Sequence, residues 1–169
     1  MKRPLVLIFM GVAGSGKTTV AKLFAEKTGA VFHEGDDFHL TSNVEKMRQG
    51  IPLTDDDRES WLRALRKIIV CSLAKNELAA IACSALKAKY RELLKGGYER
   101  VRFVHLTGPR EIIEERLKNR SGHFMPPTLL DSQFAILEPP KDAFIFSCEK
   151  TPEEIVAELI HVLEADKGV

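Results

Sequence analysis

Long apolar runs are missing from this chain. No stretch approaches the roughly 20 consecutive apolar residues of a membrane-spanning helix, so a membrane partner is not expected. Charge of one sign is missing too: 25 Lys and Arg stand against 24 Asp and Glu, a net of +1. That balance carries no footprint for nucleic acid or a membrane surface, while a small anionic substrate needs only a local cluster of positive charge. Cysteine is scarce. Cys71, Cys83 and Cys148 are odd in number and form no C-x-x-C pair, which argues against a disulfide framework or zinc site and for a reducing cytosol. There is no internal repeat, low-complexity tract or linker, and 169 residues suit one domain with a proper core, expected over 1–169. Lys2-Arg3 ahead of an apolar run resembles the start of a signal peptide. The run is shorter than the ~7–15 residues of a secretory core and leads to no small-residue cleavage site, so the expectation is a cytoplasmic protein.

What is present begins with Leu5–Met10, LVLIFM, followed at once by Gly11-Val12-Ala13-Gly14-Ser15-Gly16-Lys17-Thr18 and then by helical character. The octet fits G-x-x-x-x-G-K-[ST] in its required context, a strand before and a helix after. Glycines let the backbone wrap a polyphosphate with its N–H groups, and the helix N-terminus adds partial positive charge. Lys17 then reaches the β- and γ-phosphates, and the Thr18 hydroxyl takes a place on Mg²⁺. The loop and Thr19 beside it form the expected binding site for a nucleoside triphosphate, ATP, with Mg²⁺.

Further strands are expected at 30–33, 79–83, 101–106 and 143–147, separated by helical patterns. The clearest patterns are the stripe Trp61, Leu62, Leu65, Ile68, Ile69, Leu73 and the stripe Ile155, Val156, Leu159, Ile160, Leu163. Alternating strands and helices predict an α/β fold with a five-stranded parallel sheet flanked by helices. Such a sheet binds ligands beyond the carboxyl ends of its strands. That selects the P-loop, the turn Glu34-Gly35-Asp36-Asp37-Phe38-His39, and the stretch Cys83 to Lys87.

Phosphoryl transfer needs positioning, charge neutralisation and a carboxylate near the attacking hydroxyl. If 34–37 is extended, Glu34 and Asp36 share a face and Asp37 points elsewhere. Asp36 is then the candidate for the substrate hydroxyl and Glu34 for a water-mediated metal role; the bland reading is a solvated acidic turn. His39 is either a donor to an acidic substrate or a surface histidine. Arg116 and Arg120, four apart on one expected helix, either neutralise transferring phosphate or form a solvated face paired with Glu111 to Glu115. Residues 121–128 suit a lid, taken as about 116–130. Arg58 and Lys87 are candidate cations for an anionic substrate or plain surface charges. Cys83 and Ser84 have no base at an obvious spacing, and Trp61 reads as core rather than a stacking platform.

Together, GVAGSGKT, EGDDFH, NVEKMRQGIPLTDDDRESWL, ACSALKAKYR and RLKNRSGHFMPPTLLDSQFAILEPP, in this order over nearly the whole chain, resemble the gluconate kinases. The resemblance implies the nucleoside monophosphate kinase and shikimate kinase fold, with core, lid and helical substrate region. It implies transfer of the ATP γ-phosphoryl to the 6-hydroxyl of D-gluconate, a step feeding the pentose phosphate pathway. By motif, Asp36 would orient or deprotonate the hydroxyl. His39, Arg58 and Lys87 would lie in or near the gluconate pocket, and Arg116 and Arg120 would be lid cations with His123 nearby. Lys17, Asp36 and Arg120 make the expected catalytic set, and a homodimer is the assembly such relatives suggest. The chain departs at Glu34, where relatives commonly carry Asp, and at 139–150, shorter than in some. Two other readings are a same-fold kinase of another small hydroxylated acid, such as shikimate, and a non-catalytic nucleotide switch. The switch lacks an N-K-x-D motif and leaves 34–39 and 116–120 unexplained.

Overall fold

In this computed structural model, residues 5–120 and 129–166 are described. Strand β1 (Leu5–Met10) runs through the P-loop into α1 (Lys17–Thr28), and β2 (Val31–Glu34) ends in a 3-10 turn at Gly35–Phe38. Helices α2 (Thr41–Arg48) and α3 (Asp55–Ala74) precede β3 (Leu78–Ala82), α4 (Ala88–Lys95) and β4 (Val101–Thr107). The chain closes with α5 (Arg110–Lys118), α6 (Leu129–Ile136), β5 (Ala143–Ser147) and α7 (Pro152–Ala165). The strands form one parallel sheet in the order β2-β3-β1-β4-β5. This is the expected α/β class.

The central strand explains its own sequence. With β3 and β4 on either side and helices on both faces, β1 buries both sets of side chains, so it reads as a continuous apolar run. Val6, Ile8 and Met10 face Trp61, Leu65 and Ile69 of α3 and Leu94 of α4. Leu7 and Phe9 face Phe24 of α1 and Ile155 and Leu159 of α7. The order reverses at β1, and the crevice at such a switch point is where a parallel sheet receives ligands. Register makes that crevice compact. Phe9 and Glu34 both pair with Ala82, so the turns after β1, β2 and β3 leave the sheet at one level.

Two local expectations shift, at β2 and at α5. Strand β2 continues to Glu34 and then stops in a 3-10 turn rather than running on extended, because Glu34 Oε1 accepts from the Asp36 N–H at 3.3 Å. Helix α3 starts in a reciprocal capping box: the Asp57 N–H donates to Thr54 Oγ1 and the Thr54 N–H to the Asp57 carboxylate. Helix α5 ends at Lys118, so Arg120 lies past it and Arg116 and Arg120 do not share a helical face.

Candidate active site

On the donor side, Gly11 has φ 144°, and a methyl group there would lie 2.5 Å from the Leu106 carbonyl oxygen and 2.7 Å from Ser15 Oγ. Only glycine lets the loop pass that close to β4. Helix α1 opens at Lys17 with Gly16 as its N-cap and no side chain capping it, which leaves first-turn N–H groups for an anion. The Lys17 ammonium donates to the Val12 carbonyl at 3.0 Å. Burial pushes Lys17 below the usual lysine range, and Asp36 and Glu34 pull back towards the charged form. The Thr18 hydroxyl donates to Glu34 Oε2 at 2.5 Å. A hydroxyl beside a carboxylate is the hard oxygen pair that a Mg²⁺ ion accompanying a triphosphate takes. Among the described residues no cluster of three or more His, Cys, Asp or Glu could hold a metal by itself.

Facing that loop is a cleft of about 270 Å³ whose wall includes Lys17, Thr18, Glu34, Asp36, His39 and Arg58. Asp36 and His39 are carried by the 3-10 turn, which Trp61 of α3 holds by donating its indole N–H to the Gly35 carbonyl at 2.7 Å. The His39 ring stacks on Trp61 with centroids 4.2 Å apart. His39 Nε2 lies 4.0 Å from Asp36 Oδ1, and its buried Nδ1 makes no hydrogen bond among the described residues. Burial pushes the imidazole down to about 4, so it is neutral at pH 7 and offers the cleft a hydrogen bond rather than a charge. Arg58, nearly buried, donates to the Tyr90 hydroxyl at 3.3 Å. The cleft thus holds a phosphate-binding loop, a carboxylate, a neutral imidazole and a buried cation.

The chain matches the AAA domain family over residues 6–140. It is 40% identical to the thermoresistant gluconokinase of Escherichia coli (strain K12), with 96% of this chain and 95% of that protein covered. It is 43% identical to a probable gluconokinase of Rattus norvegicus, covering 97% and 100%. The chain belongs to the gluconokinase family. Among solved structures, a gluconokinase from Sinorhizobium meliloti 1021 superposes with a TM-score of 0.81 at 37% identity, covering 98% of this chain and 99% of that one.

The predicted residues of this gluconokinase-family chain fall into five sets. Ala13, Gly14, Gly16, Lys17, Thr18, Asp36, His39, Arg58 and Arg120 line the cleft together. Ser15, Thr19 and Arg116 line a neighbouring cleft, also about 270 Å³, in which Gly14, Gly16 and Arg120 take part as well. Arg120 therefore borders both, while Arg116 donates to the Cys148 carbonyl at 2.6 Å, and among the described residues it makes no ion pair with Glu111 to Glu115. Gly11 and Val12 are buried at the start of the loop. Lys87 is not part of the cleft wall: its ammonium donates to Asp55 Oδ1 at 3.0 Å, and Lys89 and the Tyr90 hydroxyl bond the same carboxylate. His123 and the lid segment 121–128 lie outside the described residues.

Sequence reasoning missed Asp37, which also lines the cleft because the 3-10 turn replaces strict alternation. It also missed Gln133 of α6, a buried amide whose Oε1 accepts from the Ala13 N–H at 2.7 Å. The available signal was a polar residue on the face that Leu129 and Leu130 bury. Trp61 is core, as expected, but its N–H also fastens the acceptor turn. Cys83 is a packed strand-end thiol that burial pushes up to about 12, unsuited to nucleophilic work.

Proposed function

We propose that this chain transfers the γ-phosphoryl of ATP to the 6-hydroxyl of D-gluconate, giving 6-phospho-D-gluconate and ADP. The observation that carries the reading is that Lys17, Asp36, Arg58 and Arg120 share one cleft. In this reading Asp36 receives the hydroxyl proton as the new oxygen–phosphorus bond forms and the bond to ADP breaks; the proton later passes to water. Lys17 and Arg120 neutralise charge that spreads over the migrating group, which is most of what such a reaction asks of a protein. Arg58 faces the acceptor carboxylate, and His39 takes part as a neutral hydrogen-bonding partner of a sugar hydroxyl. Lys87 joins only by exchanging Asp55 for substrate. Thr18, with Glu34 beside it, would hold Mg²⁺, which supplies charge neutralisation on the phosphates when bound.

A single domain with a lid at 116–130 is supported by Arg116 and Arg120 at the mouth of the nucleotide side. The absence of nucleic-acid or membrane partners is supported by the balanced charge and a cytoplasmic location by the three unpaired cysteines, and a role feeding the pentose phosphate pathway by the gluconokinase relatives. Among the described residues no helix is long and apolar enough to cross a membrane. A homodimer is supported by family resemblance alone. A coupled ADP-release assay with gluconate, shikimate and nucleoside monophosphates tests the activity. Turnover restricted to gluconate is expected; strong turnover of another acceptor with none on gluconate would overturn it. Tight nucleotide binding with no turnover of any acceptor would point to a switch.

A further inference from the structure

One peptide unit of the P-loop, between Val12 and Ala13, is gripped at both ends. Its carbonyl accepts from the Lys17 ammonium at 3.0 Å and from the Ser15 N–H at 3.2 Å. Its N–H donates to Gln133 Oε1 at 2.7 Å. A peptide is planar and rigid, so fixing the N–H fixes the direction of the carbonyl on the other side. Without Gln133 the unit could rotate, and the perch of the Lys17 side chain would turn with it. Gln133 is itself well placed to hold still. It is 7% exposed, and its helix is pinned on two sides: Leu130 packs with Val12 and Ala13 beneath the loop, and Leu129 with Met47 and Leu53.

We infer that Gln133 is a positioning residue for phosphoryl transfer, acting on Lys17 through the Val12–Ala13 peptide. The inference rests on the phosphotransfer reading above, because Lys17 matters most where charge develops on the migrating group. Gln133 also lines the cleft that receives the acceptor. Its contact with the loop is on the far side of the peptide from Lys17, so its loss acts on the donor geometry more than on acceptor binding.

The test uses the full chain with Gln133→Leu, which keeps the apolar volume and removes the acceptor oxygen. Gln133→Ser serves as a second variant should the first fail to fold, read in the same way. Thermal melts confirm that the variant is folded. An orphaned buried N–H and a displaced lysine should lower kcat by about tenfold while the gluconate KM stays within about threefold. Affinity for an unreactive ATP analogue should fall by about fivefold, and by less than about twofold when Lys17 is already Met, since two residues acting through one contact are not additive. A kcat within about threefold of the parent in a folded variant would overturn the assignment, as would an equal loss of analogue affinity in the Lys17→Met background. If the parent shows no turnover with gluconate, the phosphotransfer reading fails on its own. The analogue affinities then decide whether Gln133 positions Lys17.

Discussion

The donor loop is shaped by backbone, whereas the acceptor side of the same cleft is assembled by side chains reaching across from separate elements. Between β1 and α1, glycines and the helix N-terminus make the phosphate cradle within eight consecutive residues. Opposite it, the turn that carries Asp36 and His39 depends on an indole N–H from α3, and Arg58 depends on the Tyr90 hydroxyl from α4. A backbone cradle recognises what every triphosphate shares. A side-chain wall can be re-cut for a different acceptor without disturbing the sheet beneath it. The division explains how one fold supports kinases of unlike small molecules, and it can be tested by damaging each half separately.

The largest effect is expected where the two halves meet. Asp36→Asn keeps the size of the side chain and removes the carboxylate proposed to accept the proton. It should lower kcat by about 10²-fold or more, as loss of a positioned acid–base group does. Binding of an unreactive ATP analogue, measured by calorimetry, should stay close to the parent, because the donor cradle contains none of the Asp36 side chain. Near-normal kcat would remove Asp36 from the chemistry, and lost nucleotide binding would show that the halves are not separable.

Next in size is a glycine on the acceptor side, where the contrast is at its weakest. Gly35 passes so close to β3 that a methyl group would sit 2.2 Å from the Ala82 carbonyl oxygen. The opposing atom is backbone of the last β3 residue, which is paired with both β1 and β2, and it cannot turn aside. Gly35→Ala should therefore cost about 3 kcal/mol of stability by urea unfolding, at the upper end of overpacking effects. It should also raise the gluconate KM more than the ATP KM, since the displaced turn carries Asp36 and His39. Equal changes in both KM values would mean that the turn and the loop move as one body.

The sheet, its parallel sense and the donor loop were legible because their signals are local: a continuous apolar strand, a glycine-spaced octet and a helical stripe. Site selection followed from strand ends alone. The missing parts share a physical reason, which is that no local pattern encodes them. Whether Glu34 to Asp37 is extended depends on the Glu34 carboxylate bending back to the Asp36 N–H. Whether Lys87 faces the cleft depends on Asp55, 32 residues away. Gln133 and Ala13 are 120 residues apart, and a glutamine in a helix carries no mark of the peptide it will meet. Arg116 and Arg120 were placed on one face by helical spacing. The helix ends between them, yet Arg116 from its last turn and Arg120 from just past it both border the neighbouring cleft.

A third way to separate the halves is by proton. The folded value of His39 is about 4, against an ordinary 6.5, so between those limits the unfolded chain binds more protons than the folded one. Stability due to this group is then fully present above about pH 6.5 and is lost as pH falls towards 4. Asp36 and Arg58 face the ring and set the balance, Asp36 raising and Arg58 lowering its affinity for a proton. His39→Asn should reduce the stability difference between pH 7 and pH 4.5 by about 2 kcal/mol. Burial lowers His33 and His105 too, so some slope of the same sign should remain. An unchanged slope, followed by urea midpoints across that range, would show that the acceptor turn opens to solvent before His39 is protonated.

The smallest effect concerns the part of the acceptor wall that is not yet in place. Asp55 gathers Lys87, Lys89 and the Tyr90 hydroxyl on one carboxylate, and these contacts hold it well below the usual carboxylate range. Tyr90 links this group to Arg58: the Lys87 ammonium and the Arg58 guanidinium both lie against its ring, and Arg58 donates to its hydroxyl. In the proposed reading the acceptor carboxylate and the carboxylate of Asp55 would both draw on Lys87. If they compete, Asp55→Asn frees Lys87 for substrate and lowers the gluconate KM by about threefold, a size in keeping with exposed ion pairs. If Asp55 instead holds Lys87 ready, the same change raises that KM. The ATP KM should not move in either case, because nothing in the network touches the P-loop. A salt titration separates the outcomes further. Competition predicts that added salt, by screening the Asp55 pairs, narrows the difference between variant and parent. The sign of the change in gluconate KM then decides whether the second cation of the acceptor wall is built in advance or recruited by the substrate it binds.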